Sequence, residues 1–201
     1  MRAAIGLARD ARVKAAEDRG RAAEDRAQAA RDRKRAASER AEVLTELRRA
    51  HIDELTGALR RGAGELALET EVERAKRGDG RLVLAFVDVD SLRDVNNRDG
   101  HAAGDALLQD VVSAIRTKIR SYEPIVRYGG DEFVCAMSGV DRSQAESRFN
   151  GISDSLAGRE QGGAISVGLA ELESDDGLPE LVDRADKALL AARGQRPHGG
   201  D

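Results

Sequence analysis

The sequence has no tryptophan and one cysteine, and aromatic residues make up 2% of its 201 positions. Cys135 alone cannot form an internal disulfide or a cysteine-based zinc site. The three histidines, at positions 51, 101 and 198, are too scattered to form a metal-ligand cluster. These absences exclude disulfide-stapled and zinc-stabilised domains, and they favour a protein of a reducing compartment, which we expect to be the cytoplasm.

Long apolar segments are missing as well. No hydrophobic run approaches the roughly 18 residues of a transmembrane helix. The first ten residues, MRAAIGLARD, lack the apolar core of a signal peptide. We therefore predict a soluble protein without a membrane segment.

The net charge of −4 is the sum of two unlike parts. Residues 1–50 contain 14 Lys or Arg and 9 Asp or Glu, which gives +5, and the remaining residues contain 19 and 28, which gives −9. The acidic part shows no interleaving of basic and aromatic residues. This pattern argues against a nucleic-acid partner.

Residues 8–49 repeat with a period of seven. Successive heptads begin at Ala15, Ala22, Ala29 and Ala36. Proline is absent and Ala, Arg and Glu favour helix, so the pattern predicts one long helix over residues 1–50. Its apolar positions are mostly alanine, and only Val43, Leu44 and Leu47 are bulky. Two interpretations stay open: a solvated single helix, or a weak parallel coiled-coil homodimer that is firmest near Leu44 and Leu47.

After residue 51, helical and strand periodicities alternate. Helices are predicted over residues 64–77, 103–121, 141–156 and 178–193, and strands over 82–87, 125–128, 132–137 and 164–170. Gly129 and Gly130, between the second and third strands, indicate a β-hairpin. The sequence therefore predicts an α/β or α+β domain over residues 51–196, with helices on a sheet, and a disordered tail at 197–201.

Two aspartates, Asp88 and Asp90, directly follow the apolar run at 82–87. If the strand continues, alternation places both carboxylates on one side, at a sheet end where ligand sites form. Carboxylates there repel each other unless a cation or a donor shares them, and hard oxygen ligands suit Mg²⁺. The alternative is that either aspartate caps the helix that follows.

The predicted hairpin carries the sequence RYGGDEF over residues 127–133. Gly129 and Gly130 permit positive φ and let a phosphate or sugar approach bare backbone. Two acids, Asp131 and Glu132, follow at once. The alternative is an ordinary glycine turn with a solvated acidic pair.

A third segment, residues 96–105, combines an amide with a carboxylate, at Asn96 and Asp105. This pair suits guanine, whose N1–H and N2–H₂ donors match a carboxylate, whereas adenine lacks that donor pair. The alternative is that Asn96 is a loop residue and Asp105 lies on a helix surface.

Taken together in chain order, these three segments resemble the GGDEF family, the diguanylate cyclases. Residues 129–133 are the naming motif of the family without a substitution. Other motifs of the family match residues 53–57, 88–96, 100–101, 104–105, 166–168 and 185–189. The resemblance covers about residues 51–196 and implies a palm-like sheet, antiparallel or mixed, flanked by helices.

The resemblance also implies a reaction of second-messenger signalling. Two GTP molecules condense to cyclic di-GMP and two pyrophosphates, as each ribose 3′-oxygen attacks the other α-phosphorus. Two divalent ions, Mg²⁺ or Mn²⁺, would serve each half of the site. Because one domain holds only half an active site, the resemblance implies a homodimer, which the helix at 1–50 would promote.

By resemblance, each site residue receives a role. The metal ligands are Asp88, the Val89 carbonyl and Asp131, with Asp131 and Glu132 as the catalytic acids. Guanine is read by Asn96 and Asp105. Phosphate and ribose are contacted by Arg93, Gly129, Gly130 and Arg193. A further family arginine has its counterpart in Arg196, one position early.

One family feature is altered. The inhibitory product site of the family is an Arg-x-x-Asp just before the hairpin, and this chain has Arg120 and Glu123 there. Either these residues bind cyclic di-GMP, or they form a helix-end charge pair. Two functional alternatives to an active cyclase also stay open: an inactive module that binds GTP or cyclic di-GMP as a scaffold, and a cyclase that uses another nucleotide.

Overall fold

The computed structural model describes residues 28, 31–43, 45–47, 49–78, 80–158 and 163–194. The chain divides into two compact units, Met1–Arg48 and Arg49–Asp201. In the first unit, residues 31–43 and 45–47 are helical, and Arg35 pairs with Glu39 one turn later, Nε to Oε1, at 2.9 Å. The predictions for residues 1–27, 29–30, Leu44, Arg48, Arg196 and the tail at 197–201 lie outside the described residues.

The second unit opens with helical residues 49–51, and its elements then follow in chain order. The strands are β1 (Leu59–Arg60), β2 (Leu82–Val89), β3 (Ile125–Arg127), β4 (Glu132–Ser138) and β5 (Ile165–Glu171). The helices are α1 (Arg61–Arg77), α2 (Leu92–Asp99), α3 (His101–Lys118), α4 (Arg142–Ala157) and α5 (Leu178–Gly194).

The strands form one five-stranded sheet in the order β1-β3-β4-β2-β5. Only β1 and β3 pair in parallel, and every other neighbouring pair is antiparallel. The predicted mixed sheet flanked by helices is therefore confirmed. The central strand β2 is buried at all eight positions, because it lies between β4 and β5 and is covered on both faces.

Alternation along β2 divides its side chains between two layers. Val83, Ala85 and Val87 belong to a core that α3 and α4 complete, whereas Leu82, Leu84 and Phe86 belong to a second core with α1 and α5. Both cores consist mainly of aliphatic side chains, which agrees with the low aromatic content. With both faces of the sheet covered, the polar groups of β2 are confined to its C-terminal end.

Helix α5 lies directly against β5. An ideal Cβ on Gly168 would lie 2.0 Å from the Ala185 carbonyl oxygen and 2.2 Å from the Leu189 nitrogen. Only a glycine allows this approach, because the contacted atoms are helix backbone and cannot rotate away. This packing brings the last turn of α5 to the C-terminal end of β2, beside the start of β5.

Several predicted boundaries were wrong. The helix predicted over 103–121 begins at His101 and ends at Lys118, where Ile119 turns to extended backbone. A separate helix, α2, precedes it, and the two meet at Gly100, whose φ of +85° ends α2. Strand β1 was not predicted, since two residues give no periodic signal. Within the described part of the chain, no helix is both long and apolar enough to cross a membrane.

Candidate active site at the end of the central strand

The site is built where β2 leaves the sheet. Asp88 lies between Glu132 on β4 and Ser166 on β5 in the strand register. The next residue, Val89, donates its N–H to the Asp131 carbonyl oxygen at 3.0 Å. This bond holds the tip of the β3–β4 hairpin against the end of β2. The acidic residues of two sequence motifs, 88–90 and 131–132, therefore lie side by side at this end of the sheet.

The carboxylate of Asp88 lies in an electrostatic environment that disfavours its negative charge. Burial raises its pKa to about 6, and the negative charges of Asp131 and Asp90 add to the rise, although the Arg193 guanidinium lowers it. Arg193 Nη2 contacts Asp88 Oδ1 and lies 3.6 Å from Asp90 Oδ1. A buried carboxylate beside other acidic side chains needs a cation to offset its charge, and in this structure the cation is the Arg193 guanidinium.

Asp90 has a different partner from the one its sequence context suggested. Its Oδ1 accepts a hydrogen bond from Ser166 Oγ at 2.7 Å, and its N–H donates to the Ala164 carbonyl at 3.0 Å. The alternative interpretation of these aspartates as helix caps was wrong. The N-cap of α2 is Ser91, without a side-chain cap bond, and Asp88 lies within the strand.

The hairpin tip is braced from the start of the domain. Arg127 donates to the Gly130 carbonyl at 2.7 Å and to Asp53 Oδ1 at 3.0 Å. Asp53 opens a tight turn that ends at Gly57, whose N–H donates to the Asp53 carbonyl at 2.8 Å. Arg127 thus ties the glycine pair to the segment that follows the helical residues 49–51.

Of the two reasons predicted for the hairpin glycines, positive φ and an open backbone, the structure has only the second, and only at Gly130. Neither has positive φ, so their conformational freedom is not what the turn requires. At Gly129 a Cβ would lie 2.3 Å from Glu132 Oε2, which shows that the Glu132 side chain folds back over the tip. At Gly130 a Cβ would meet nothing within 4 Å, so its backbone is open to a ligand.

The proposed guanine readers lie at the corner between α2 and α3. Asn96 packs over Gly104, where a Cβ would lie 2.1 Å from Asn96 Oδ1, and Asp105 is exposed on the next position of α3. Asn96 Oδ1 is buried and has no hydrogen-bond donor among the described residues. A buried acceptor of this kind is expected to have a partner, which a ligand could provide. Arg93 is exposed on the first turn of α2.

Arg120 and Glu123 lie away from this site, beside a separate cavity of about 640 Å³ that Arg120, Tyr122 and Arg116 help to line. The Glu123 side chain is 0% exposed. Its carboxylate accepts from the Arg120 N–H at 2.7 Å and from the Ser138 N–H at 3.1 Å. The geometry favours the helix-end interpretation for Glu123, because its carboxylate accepts from these backbone donors and lies 3.9 Å from Arg120 Nη1 and 3.6 Å from Arg148 Nη1. Arg120 donates to Tyr122 Oη at 2.9 Å.

Sequence reasoning missed three contributions to the site. It assigned Arg193 to phosphate and did not foresee its pairing with Asp88, 105 residues away. It quoted Asp53 and Arg127 as motif members without their brace. It also passed over Ser166, the partner of Asp90, although a hydroxyl between apolar strand residues was a usable signal. No group of three or more His, Cys, Asp or Glu side chains among the described residues could hold a metal ion alone.

The fold and the acidic hairpin agree with comparisons to known proteins. The family described as "Diguanylate cyclase, GGDEF domain" matches residues 50–198, and this chain belongs to that family. Diguanylate cyclase DgcP of Pseudomonas aeruginosa is 30% identical over 73% of this chain, and diguanylate cyclase DgcS of Shewanella oneidensis is 31% identical over 72%. The chain spans only 23% and 50% of the lengths of these two relatives.

Solved structures show the same likeness. The coiled coil and GGDEF domain of DgcB from Caulobacter crescentus, in complex with c-di-GMP, matches with a TM-score of 0.78 at 25% identity, covering 85% of this chain and 95% of that one. Diguanylate cyclase SiaD of Pseudomonas aeruginosa, in complex with its activator SiaC, matches with a TM-score of 0.67 at 28% identity, covering 94% and 76%.

Proposed function

We propose that this chain is an active diguanylate cyclase that condenses two GTP molecules into cyclic di-GMP and two pyrophosphates. The observation that carries the proposal is the junction of Asp88 and Asp131 through the hydrogen bond from the Val89 N–H. It places two acids from distant motifs at one sheet end, beside the open backbone of Gly130.

The residues present fit a divalent ion. Asp88 and Asp131 provide hard oxygen ligands, with the Val89 carbonyl as a third, and the crowded charge around Asp88 already requires a cation. Mg²⁺ favours such sites, because it joins one or two carboxylates to substrate phosphates and keeps its remaining waters. When bound, Mg²⁺ or Mn²⁺ would neutralise charge on the attacking and leaving oxygens of the phosphoryl transfer.

The remaining site residues would hold the nucleotide. Asp105 accepts the N1–H and N2–H₂ donors of guanine, and Asn96 supplies a further polar contact at the base. The backbone of Gly129 and Gly130 lets the phosphates and ribose approach. Arg93 and Arg193 offer charge to the triphosphate. Glu132, folded over the tip, is placed to accept the proton of the attacking 3′-hydroxyl or to assist at the metal.

Two chains are needed for one reaction, because each GTP supplies the nucleophile for the other. We propose that the helix within residues 1–50 raises the effective concentration of the second domain by forming a parallel dimer. Val43 and Leu47, 54% and 48% exposed, provide the bulky apolar positions for such a seam. The coiled coil named in the DgcB structure supports this proposal.

Metal binding should depend on pH through Asp88. Although the carboxylate still predominates above about pH 6, a pKa raised from 3.8 to about 6 means that folding favours the neutral acid of Asp88 relative to the unfolded chain. Its contribution to stability is present below 3.8 and is lost as the pH rises through about 6. Only the carboxylate binds metal, so Mn²⁺ affinity should fall about tenfold per pH unit below that point. Calorimetric titrations at about pH 5 and about pH 7 measure this. Equal affinity at both pH values would contradict it.

The function itself is tested by incubating the full chain with Mg²⁺ and GTP and analysing the products by mass spectrometry. We expect cyclic di-GMP and pyrophosphate, and no cyclic product when ATP replaces GTP. Nucleotide binding without turnover, in a sample shown to be dimeric and metal-loaded, would contradict the proposal. That outcome would favour the scaffold alternative. Turnover of ATP at an equal rate would instead show that Asp105 does not select guanine.

A further inference from the structure

Arg193 occupies a place that a metal ion would need. It is the penultimate residue of α5, and its guanidinium contacts Asp88 Oδ1 while Asp90 Oδ1 lies 3.6 Å away. The Asp88 side chain is 9% exposed, so water screens this pair much less than it screens a surface pair. The contact therefore contributes substantially to neutralising the acidic end of β2.

A guanidinium and a divalent ion would compete for this oxygen. Two positive centres within about 4 Å of each other repel strongly where water is largely excluded. An ion that is held between Asp88 and Asp131 would thus displace Arg193 from the carboxylate. The backbone of α5 would stay in place when the side chain leaves, because Ala185 and Leu189 pack against Gly168. The Arg193 side chain itself is 40% exposed and is free to swing outward.

We propose that Arg193 is a resident counter-ion: it neutralises Asp88 in the metal-free protein, leaves when a divalent ion binds, and then contacts the triphosphate that arrives with that ion. This inference rests on the proposed metal site at Asp88 and Asp131. The exchange makes a metal ion alone a weak ligand, because it must first break the pair. It makes metal and nucleotide cooperative ligands, because the nucleotide gives the freed guanidinium a new anion.

Exchange predicts effects of opposite sign for one substitution. Arg193→Gln should bind Mn²⁺ alone about five- to tenfold more tightly than the unmodified chain, since no pair has to be broken. The same variant should bind 3′-deoxy-GTP about tenfold more weakly in saturating Mn²⁺, since the phosphate contact is lost. The 3′-deoxy nucleotide lacks the attacking oxygen, so binding is measured without turnover. A residue that acts only as a structural ion pair with Asp88 would not weaken nucleotide binding when removed.

Both affinities are measured by calorimetry on the full chain. Lys187→Gln is the matched control, because it removes the same charge from α5, where Lys187 Nζ pairs with Asp183 Oδ2 at 2.5 Å, and it should change neither affinity. Arg193→Lys, which keeps the charge, should have affinities between those of the unmodified chain and those of Arg193→Gln. Thermal melts without and with Mn²⁺ verify folding, and Arg193→Gln should lose stability only without the metal.

An Arg193→Gln variant that binds Mn²⁺ no more tightly than the unmodified chain would overturn the inference. Failure of the proposed function has a separate signature. If the unmodified chain does not bind Mn²⁺, or if it binds Mn²⁺ equally well after Asp88→Asn, then the metal site itself is wrong. The counter-ion inference is overturned with it in either case.

Discussion

Asp131→Asn should reduce cyclic di-GMP synthesis by roughly a thousandfold or more while leaving the fold intact. The substitution removes a metal-binding charge from the tip of the hairpin. A metal ion contributes several kcal/mol to stabilising the charge that develops in phosphoryl transfer, so its loss is costly. The fold should persist because the Val89 N–H bonds to the Asp131 backbone carbonyl, which asparagine retains.

The matched control for that variant is Asp154→Asn. Asp154 is exposed on α4, so its substitution makes the same change of charge outside the site and should leave the rate unchanged. Initial rates of pyrophosphate release measure both variants, and thermal melts verify that both are folded. Retention of more than about a tenth of the activity by folded Asp131→Asn would remove Asp131 from the reaction.

Gly168→Ala should have the largest effect on stability. Its Cβ would lie 2.0 Å from the Ala185 carbonyl oxygen, so α5 would have to move away from β5. That shift would open the packing of Leu181 and Leu189, both almost fully buried, against the sheet. We expect the free energy of unfolding to fall by at least about 3 kcal/mol, a large part of the stability of a typical domain. The same shift would carry Arg193 away from Asp88.

Urea denaturation of the metal-free protein measures this loss. Gly62→Ala is the control, because Gly62 lies in α1 and a Cβ there would meet nothing within 4 Å. Alanine in a helix should leave the stability unchanged or raise it by up to about 1 kcal/mol. If the free energy of unfolding of Gly168→Ala lies within about 1 kcal/mol of that of the unmodified chain, then α5 does not lie on β5 as described.

Local patterns predicted the elements whose signal is local. The apolar run at 82–87 gave the central strand, and the glycine pair gave the hairpin, because burial and turn formation depend on neighbouring residues. Strand β1 was invisible, since it has two residues and exists only through its parallel pairing with β3. The extent of α2 was not predicted, because none of its eight residues is buried and they give no apolar period.

The candidate site also contains residues that local patterns predicted and contacts that they did not. Its acids were found from their motifs, since the strand end and the hairpin tip each carry a compact sequence signal. Arg193 on Asp88, Ser166 on Asp90 and Arg127 on Asp53 were not foreseen, because each pair joins residues that lie far apart in the chain. For the glycine pair, positive φ was the incorrect reason: Gly129 makes room for Glu132, and Gly130 leaves its backbone open.

The most direct measurement is the rate of cyclic di-GMP formation per chain as the protein is diluted, with the oligomeric state followed by light scattering. If two chains build one site, then the specific activity falls as dimers dissociate, and a chain without residues 1–45 loses activity at higher protein concentration than the full chain. Specific activity that stays constant down to concentrations where the protein is monomeric would contradict a reaction shared between two chains.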